Sequence, residues 1–576
     1  MLKLARYLKG HGAECVLAPL LKMLEAILGL LVPFVMADVI DVGIANGDTD
    51  YILQRAALLV IIAVFAWIIA VIAQYFSSRL AAGFGTALRD DLFRHVMTLS
   101  REDVERLGKA SLTTRITNDT QQVQDGVNMF FRLVLRSPLV AFGSVVATFI
   151  VSGVEGVALL VAVVACFLIV LGFASLTTRR YRDIQTSLDD VLLKTTENLE
   201  GVRVLRAFRR EKDEKEKFSE SADRVASQQV VAGDISALVN PLTYLVINIG
   251  LIALLWLGAS QVDIGALTQG QLVAIVGYVS QALVELVKLA NLIVQLSKAS
   301  ACARRINEVF ETSPAQTDGT KQASFTNDEP VLAFEDVSFT YPGAGGEALS
   351  HVSFELEAGS TLGIIGGTGS GKSTVASLAL RFYDATDGCV RVGGTDVREL
   401  TAKSLREKVS LVEQGATLFS GTIAENLAWG SGDATEDDMT SALATAQATN
   451  VVASKEDGLN ARVEQGGRNF SGGQRQRLTI ARTLVRKPKV LVLDDASSAL
   501  DFATDAALRH ALAHDLDDTA IVSISQRVAT VRHCDQILVL DGGRVAGLGT
   551  HEELLDSCPV YQEICASQLT DEEVRR

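Results

Sequence analysis

The chain has 576 residues, too many for one ordinary core, so two or three domains are expected. Apolar residues make up 48% of it, and the mean hydropathy is +0.27, high for a protein bathed in water throughout. The net charge of −15 argues against a nucleic-acid-binding chain.

Residues 1–14 carry Lys3, Arg6 and Lys9 among apolar residues and read as an amphipathic lead-in helix on the cytoplasmic surface. A cleavable signal peptide is the competing reading. The apolar run that follows, 15–40, is too long for that and contains Lys22 and Glu25. It is expected to be the first of six membrane spans. The others are 56–84, 127–152, 156–176, 237–258 and 271–296, near the roughly 20 apolar residues that a bilayer requires. Within the last run, Glu285 and Lys288, with Asn291 and Gln295 beyond them, either line a cavity or lie in a cytoplasmic extension of the helix.

Lys and Arg placement sets the orientation. The segment after the second span holds Arg89, Arg94, Arg101, Arg106, Lys109 and Arg115. The segment after the fourth holds Arg179, Arg180, Arg182, Arg203, Arg206, Arg209 and Arg210. The alternate connections are short and carry Asp41, Asp48, Asp50, Glu155 and Asp263, with Arg55 the exception. Both termini and the two long connections are therefore expected in the cytoplasm. Those connections, 89–124 and 180–228, are polar, helix-favouring and free of Pro. They should extend the spans as helical hairpins with tips near 113–119 and 207–212. Such a tip could press into a cytoplasmic motor; a solvated hairpin with no partner is the bland alternative.

Residues 311–330 are rich in Thr, Ser, Gly, Pro and charge and read as a linker. From Val331, short apolar β-like runs alternate with helical stretches, the pattern of an α/β domain with a substantially parallel sheet. Tyr341, in FTYPG, is a weak signal for a ring stacked on a purine. Gly366-Gly367-Thr368-Gly369-Ser370-Gly371-Lys372-Ser373-Thr374 fits G-x-x-x-x-G-K-[ST] without mismatch, after apolar Leu362, Ile364 and Ile365 and before a helix-forming run. Glycines let such a loop turn its N–H groups toward phosphate oxygens, and the following helix adds its positive end. Lys372 should reach the β- and γ-phosphates of ATP, and Ser373 should hold Mg2+. Gln414 ends a β-like run. Ser471, Gly472, Gly473 and Gln474 open a helix and offer a second phosphate-binding surface. The run 490–493 is a buried strand ending in Asp494, a carboxylate able to help hold Mg2+, and the run 521–525 is another that ends near Gln526. Two phosphate-binding helix starts on one chain suggest a head-to-tail dimer; a plain helix cap is the other reading of Ser471–Gln474. The seven cysteines show no metal-type clustering and read as reduced packing residues.

These motifs, in this order, resemble those of the ATP-binding-cassette (ABC) transporter family. GGTGSGKST resembles its Walker A, Gln414 its Q-loop, FSGGQ its signature, VLVLD its Walker B, SALD its D-loop, Gln526 its switch position and Tyr341 its A-loop. LVPFVMADVID, RITND and ENLEGVRVLRAF resemble stretches of the exporter-type membrane domain. The resemblance implies an all-α six-span membrane domain with long cytoplasmic helical loops over 1–310, a linker over 311–330, and an α/β P-loop ATPase domain with a helical subdomain over 331–576. It implies ATP and Mg2+ as cofactors, the metal on Ser373, Gln414 and Asp494, and Asp495, Gln526 and Gln414 as the catalytic set. It also implies a half-transporter working as a dimer in a lipid bilayer, a bacterial inner membrane, on a small-molecule substrate.

Four positions depart from the family pattern. Asp495 stands where the general base is normally Glu, and Gln526 where the switch is normally His. Phe470 replaces a Leu, and Gln465 a Glu before the signature. Asp is one methylene shorter than Glu, and a base must come within about 2.6–3.2 Å of the water it activates. A withdrawal of roughly 1 Å costs on the order of 100-fold in rate. The pattern resembles the degenerate-site subunit of heterodimeric multidrug exporters. The expected partner is a homologous half-transporter, and the expected solutes are drug-like, lipid-like or other small amphiphiles. An importer, a thiol or haem exporter, and an ATP-dependent membrane sensor are the alternatives.

Overall fold

The apolar runs of the N-terminal half are all helical, because a helix satisfies every backbone polar group within its own segment. The computed structural model describes residues 2–326 and 328–569; inside its helices the side chains at 2, 170, 171, 173–179, 181, 182, 236, 239, 240, 243, 247 and 290 lie outside the description, Arg179 and Arg182 among them. The chain divides into two units, Met1–Met97 with Leu107–Thr312, and Thr98–Arg106 with Ser313–Arg576.

In the first unit a 3-10 helix, Leu2–His11, leads into α1 (Gly12–Asp38). Then come α2 (Thr49–Thr98), α3 (Thr120–Leu133), α4 (Arg136–Val151), α5 (Gly153–Glu200), α6 (Glu211–Asp263) and α7 (Gln269–Glu311). Among the described residues, five stretches are long and apolar enough to cross a bilayer: Lys3–Ile44, Thr49–Thr98, Lys109–Val151, Tyr244–Asp263 and Gln269–Glu311. A shorter apolar helix covers Gly153–Ile169. The 50 residues of α2 reach about 75 Å, more than twice a hydrocarbon core of about 30 Å, so much of the helix extends beyond any membrane. Large apolar side chains face outward, with Trp67 68% and Trp256 78% exposed, as lipid-facing residues do and soluble surfaces avoid. Inside, Tyr278 of α7 is fully buried and its hydroxyl donates to the Leu30 carbonyl of α1 at 2.9 Å.

The first hairpin tip is not at 113–119. The backbone breaks at 99–100, runs through a short helix, Arg101–Leu107, and turns again at Gly108, whose φ is +79°. Residues Arg115–Asp119 are instead a helical turn that feeds α3. Ser100 and Asp103 close the break: Asp103 N donates to Ser100 Oγ at 3.1 Å and Ser100 N to Asp103 Oδ2 at 3.3 Å. The second break, from Gly201 to Arg210 around a short helix Val202–Ala207, overlaps the expected 207–212.

The strands of the second unit are β1 (Leu332–Phe339), β2 (Leu349–Leu356), β3 (Thr361–Gly366), β4 (Asp387–Val392), β5 (Thr395–Asp396), β6 (Val409–Val412), β7 (Gly421–Thr422), β8 (Arg462–Val463), β9 (Val490–Asp494), β10 (Ala520–Ile524), β11 (Gln536–Asp541) and β12 (Arg544–Gly549). A six-stranded sheet, order β12-β11-β3-β10-β9-β6, is parallel except at β12. Its central strands are apolar on both faces, as β9 is from Val490 to Leu493, because both faces are covered. A separate antiparallel sheet, order β2-β1-β4-β5, was not foreseen from the sequence. The helical subdomain packs around Leu427, Leu443, Phe470 and Leu478, in a core it shares with Val412, Leu491 and Leu493 of the six-stranded sheet. The stretch read as a linker is strapped along this unit: Thr320 N donates to the Glu399 carbonyl at 3.0 Å, and Ala323 N to Ser404 Oγ at 2.9 Å.

Parallel register decides what emerges together. Ile364 of β3 pairs with Ile524 of β10, which pairs with Asp494 of β9, while Gly366 pairs with Leu540 of β11. A Cβ on Gly366 would lie 2.1 Å from the Leu540 carbonyl oxygen, a backbone atom that cannot step aside. One on Gly367 meets nothing within 4 Å. Gly366→Ala should therefore cost about 1–3 kcal/mol and lower the thermal transition of the second unit, and Gly367→Ala should leave it in place. Scanning fluorimetry of both variants reads this directly; equal transitions would refute the close approach.

Candidate functional site

Beyond the ends of β3, β9 and β10 lies a cleft of about 350 Å³. Its walls include Tyr341, Thr368, Gly369, Ser370, Gly371, Lys372, Ser373, Thr374, Gln414, Asp494, Asp495 and Gln526. Five separate stretches of chain thus converge on one place. Gly366 and Gly367 lie behind the lining and contribute their carbonyls, which accept from Lys372 Nζ at 2.9 and 2.6 Å. Gly369 and Gly371 have φ of +81° and +93°, and a Cβ on Gly371 would lie 2.5 Å from the Ala348 carbonyl oxygen. Only glycine takes such a turn without strain. The helix Lys372–Ala379 starts at this loop.

The charges in the cleft are held out of water. Burial pushes the Lys372 ammonium below its ordinary pKa, against the pull of Asp494 and Asp495. Burial likewise pushes both carboxyls up. For Asp494, Asp495 adds to the rise, while the Ser373 bond and Lys372 oppose it. For Asp495 the opposition comes from Arg527, Gln414 and Lys372. An anionic ligand beside Lys372, and a cation beside the carboxylates, would each stabilise the charged form of its neighbours. Ser373 Oγ lies 3.0 Å from Asp494 Oδ1, a pair of hard oxygen donors of the type Mg2+ takes.

Asp495 sits at φ +46°. Its amide donates to the Ile524 carbonyl at 2.9 Å, and its Oδ2 accepts from Gln414 Nε2 at 3.1 Å. Tyr341 packs edge-on against Phe339 and Tyr383, and its hydroxyl is 3.2 Å from Thr374 Oγ1. The segment carrying Gln526 is clipped by Gln568, which donates to the Gln526 carbonyl at 2.8 Å and accepts from Val528 N at 2.9 Å. Sequence reading missed Ala348, Ser525 and Arg527. The signal for the last two was adjacency to Gln526 at a strand end.

Ser471, Gly472, Gly473 and Gln474 line no part of this cleft. They open the helix Gly472–Leu484 in a capping box, with Gln474 N donating to Ser471 Oγ at 3.3 Å and Ser471 N to Gln474 Oε1 at 2.9 Å. Phe470 is buried in the helical subdomain with Lys455 over its ring, so its size is a core requirement. Gln465 begins a single 3-10 turn, Gln465–Gly467.

Residues 15–286 match the family described as the ABC transporter transmembrane region, and residues 349–498 match the family described as ABC transporter. An uncharacterized ABC transporter ATP-binding protein of Mycobacterium tuberculosis is 37% identical over 570 residues, covering 98% of this chain and 97% of the relative. The chain belongs to the ABC transporter family. An ATP-dependent lipid A-core flippase of Vibrio vulnificus is 30% identical over 528 residues, 91% of this chain and 90% of that one. A bacterial Atm1-family ABC exporter solved with ATP bound superposes with a TM-score of 0.81 at 25% identity, over 97% of this chain and 98% of that one. The protein is an ATP-hydrolysing membrane translocase of exporter architecture.

Lys372 is the one cation lining the nucleotide cleft among the described residues. A charge-assisted phosphate contact is worth about 1.5–3 kcal/mol, so Lys372→Ala should weaken ATP binding on the order of 10–100-fold. Photolabelling by an azido-ATP should fall accordingly. Unchanged labelling would place the phosphates elsewhere.

Proposed function

We propose that this chain is one half of a heterodimeric exporter of small amphipathic solutes, and that the ATP site on its own P-loop turns over slowly. The observation that carries the proposal is the composition of the cleft. It gathers Tyr341, Thr368–Thr374, Gln414, Asp494, Asp495 and Gln526, while Ser471–Gln474 line none of it. A second chain would supply its own signature to this ATP, and Ser471–Gln474 here would serve the ATP of that chain.

In this reading Gly369, Gly371 and the start of the Lys372–Ala379 helix direct N–H groups at the phosphates, Lys372 neutralises them and Tyr341 meets the base. Ser373 and Asp494 would hold Mg2+, with Gln414 beside them; the metal would draw charge from the phosphate oxygens. Asp495 is the base, held by Gln414 and short of the reach of Glu. Gln526 replaces a switch residue that could carry charge, and it cannot become cationic. Both losses fall on one ATP, which is why the partner should hold the fast site.

The membrane domain is assigned to 1–310, the linker to 311–330 and the ATPase domain to 331–576. The ATPase domain and both termini are assigned to the cytoplasm of a bacterial cell, on the Lys and Arg bias described above. The Arg101–Leu107 helix, in place of 113–119, becomes the first hairpin's lever. The lipid flippase relative supports an amphipathic cargo.

Steady-state ATPase of this chain alone should be low and should rise sharply with its genomic neighbour. Replacing the partner's base should nearly abolish that turnover, whereas Asp495→Asn should reduce it far less. Fast hydrolysis by this chain alone, abolished by Asp495→Asn, would make the homodimer the working form.

Topology has its own check. In a cysteine-free background, Asp48→Cys and Asp263→Cys should react with an impermeant thiol reagent outside cells, and Thr113→Cys and Arg209→Cys should not. Outside labelling at Thr113→Cys would invert the orientation.

A further inference from the structure

Five charged residues on α1, α4 and α7, Lys22, Glu25, Arg136, Glu285 and Lys288, form a network. Arg136, at the start of α4, pairs with Glu285 of α7. Its Nε lies 3.4 Å from Glu25 of α1, yet is buried without a hydrogen-bond acceptor. Glu285 also accepts from Ser137 Oγ and from Lys288 Nζ, each at 2.7 Å. Glu25 is paired with Lys22 at 2.7 Å. Glu285 is 3% exposed and Lys22 8%.

The network is not neutral. Lys22, Arg136 and Lys288 face two carboxylates, Glu25 and Glu285, which leaves one positive charge unmatched. The excess rests on Lys288. Its carboxylate partner is already engaged by Arg136 and Ser137, and its own side chain keeps 41% of its surface exposed.

Beside the network is a cavity of about 410 Å³. Glu25, Arg136, Glu285 and Lys288 line it together with apolar Ala26, Val140 and Val284. Asn291 and Gln295 do not. Lys288 lies about 30 Å along α7 from its Thr268 end, and Arg136 about 24 Å along α4 from its Ser152 end. Those ends are external in the proposed topology. With a hydrocarbon core of about 30 Å, the cavity falls at the depth of the cytoplasmic leaflet's inner edge. An unmatched charge lining a cavity at that depth draws a counter-charge.

We propose that this cavity binds an amphiphile carrying a single anionic group, the charge meeting Lys288 and Arg136 and the apolar part lying along Val140 and Val284. The inference rests on the exporter reading and names the class of solute for it. One negative charge makes the network neutral; a cationic amphiphile would add to the excess.

The test is equilibrium binding to the purified transporter in uncharged detergent, without ATP. The probes are a short-chain fluorescent phosphatidylglycerol, a phosphatidylcholine with the same chains, and glycerol phosphate. The phosphatidylglycerol should bind at least about tenfold tighter than the phosphatidylcholine, a difference of about 1.4 kcal/mol. Lys288→Gln should erase that preference and Lys288→Arg should keep it, while both variants retain ATP photolabelling as proof of fold. Equal binding of the two lipids by the parent protein, or an intact preference in Lys288→Gln, overturns the site. Glycerol phosphate binding as tightly as the lipid overturns the amphiphile and leaves a small-anion site. Phosphatidylglycerol bound but never moved by ATP in vesicles sinks the exporter reading and not the site. ATP-driven movement of other solutes, with no preference for the anionic lipid, does the reverse.

Discussion

The backbone pairing of β3 with β10, and of β10 with β9, is the constraint on which the ATP site depends. Parallel strands place like ends together, and the register found here puts Ile364, Ile524 and Asp494 side by side. The loop after β3 carries Lys372, β9 ends in Asp494 and is followed by Asp495, and the chain after β10 carries Gln526. None of these residues has to find the others; the ladder delivers them. A one-residue slip in any of the three strands would turn its side chains to the opposite face and dismantle the cleft. The glycine at the end of β3 serves that ladder first, since the Leu540 carbonyl of β11 occupies the space a side chain would need.

The same convergence sets an electrostatic condition. Lys372, Asp494 and Asp495 stand together where burial works against the charged form of each. Lys372 answers with two backbone carbonyls and Asp494 with the Ser373 hydroxyl. These contacts hold the groups in place but leave their charges without full counterparts. A phosphate chain and a divalent cation would supply them, as the proposed binding of a metal-bound nucleotide requires.

What the sequence made legible was local. Gly369 and Gly371, the Lys–Ser pair behind them and the apolar run ending in Asp494 are contiguous signals, and each is found where it was read. The membrane helices were legible because lipid demands length and apolarity together. Contacts distant in sequence were not. Gly366 reads as part of a phosphate loop, but its need for glycine comes from β11. Arg527 acts on Asp495 from the loop after another strand, β10. The first hairpin tip went astray for a different reason. A Pro-free polar stretch offered no obvious breaker, and the short cap pairing Ser100 with Asp103, together with Gly108, carried the break.

A helix start leaves its first backbone N–H groups without partners in the helix. Here the capping box satisfies the amides of Ser471 and Gln474 by way of each other's side chains. That leaves Gly472 and Gly473 to offer amides outward, and a Cβ on Gly472 would meet nothing within 4 Å. The box therefore fixes the backbone of the turn while leaving Gly472 bare; a Cβ on Gly473 would lie 3.1 Å from the Ala499 carbonyl oxygen. A cap that existed only to end a helix would not need two glycines, which weaken helices by about 1 kcal/mol each against Ala. Packing on Ala499 accounts for Gly473, and glycine at 472 is explained if another surface, carrying phosphate, approaches the backbone closely. The cleft of this chain does not reach it, so in the proposed dimer the approaching surface would be that of a second ATPase domain.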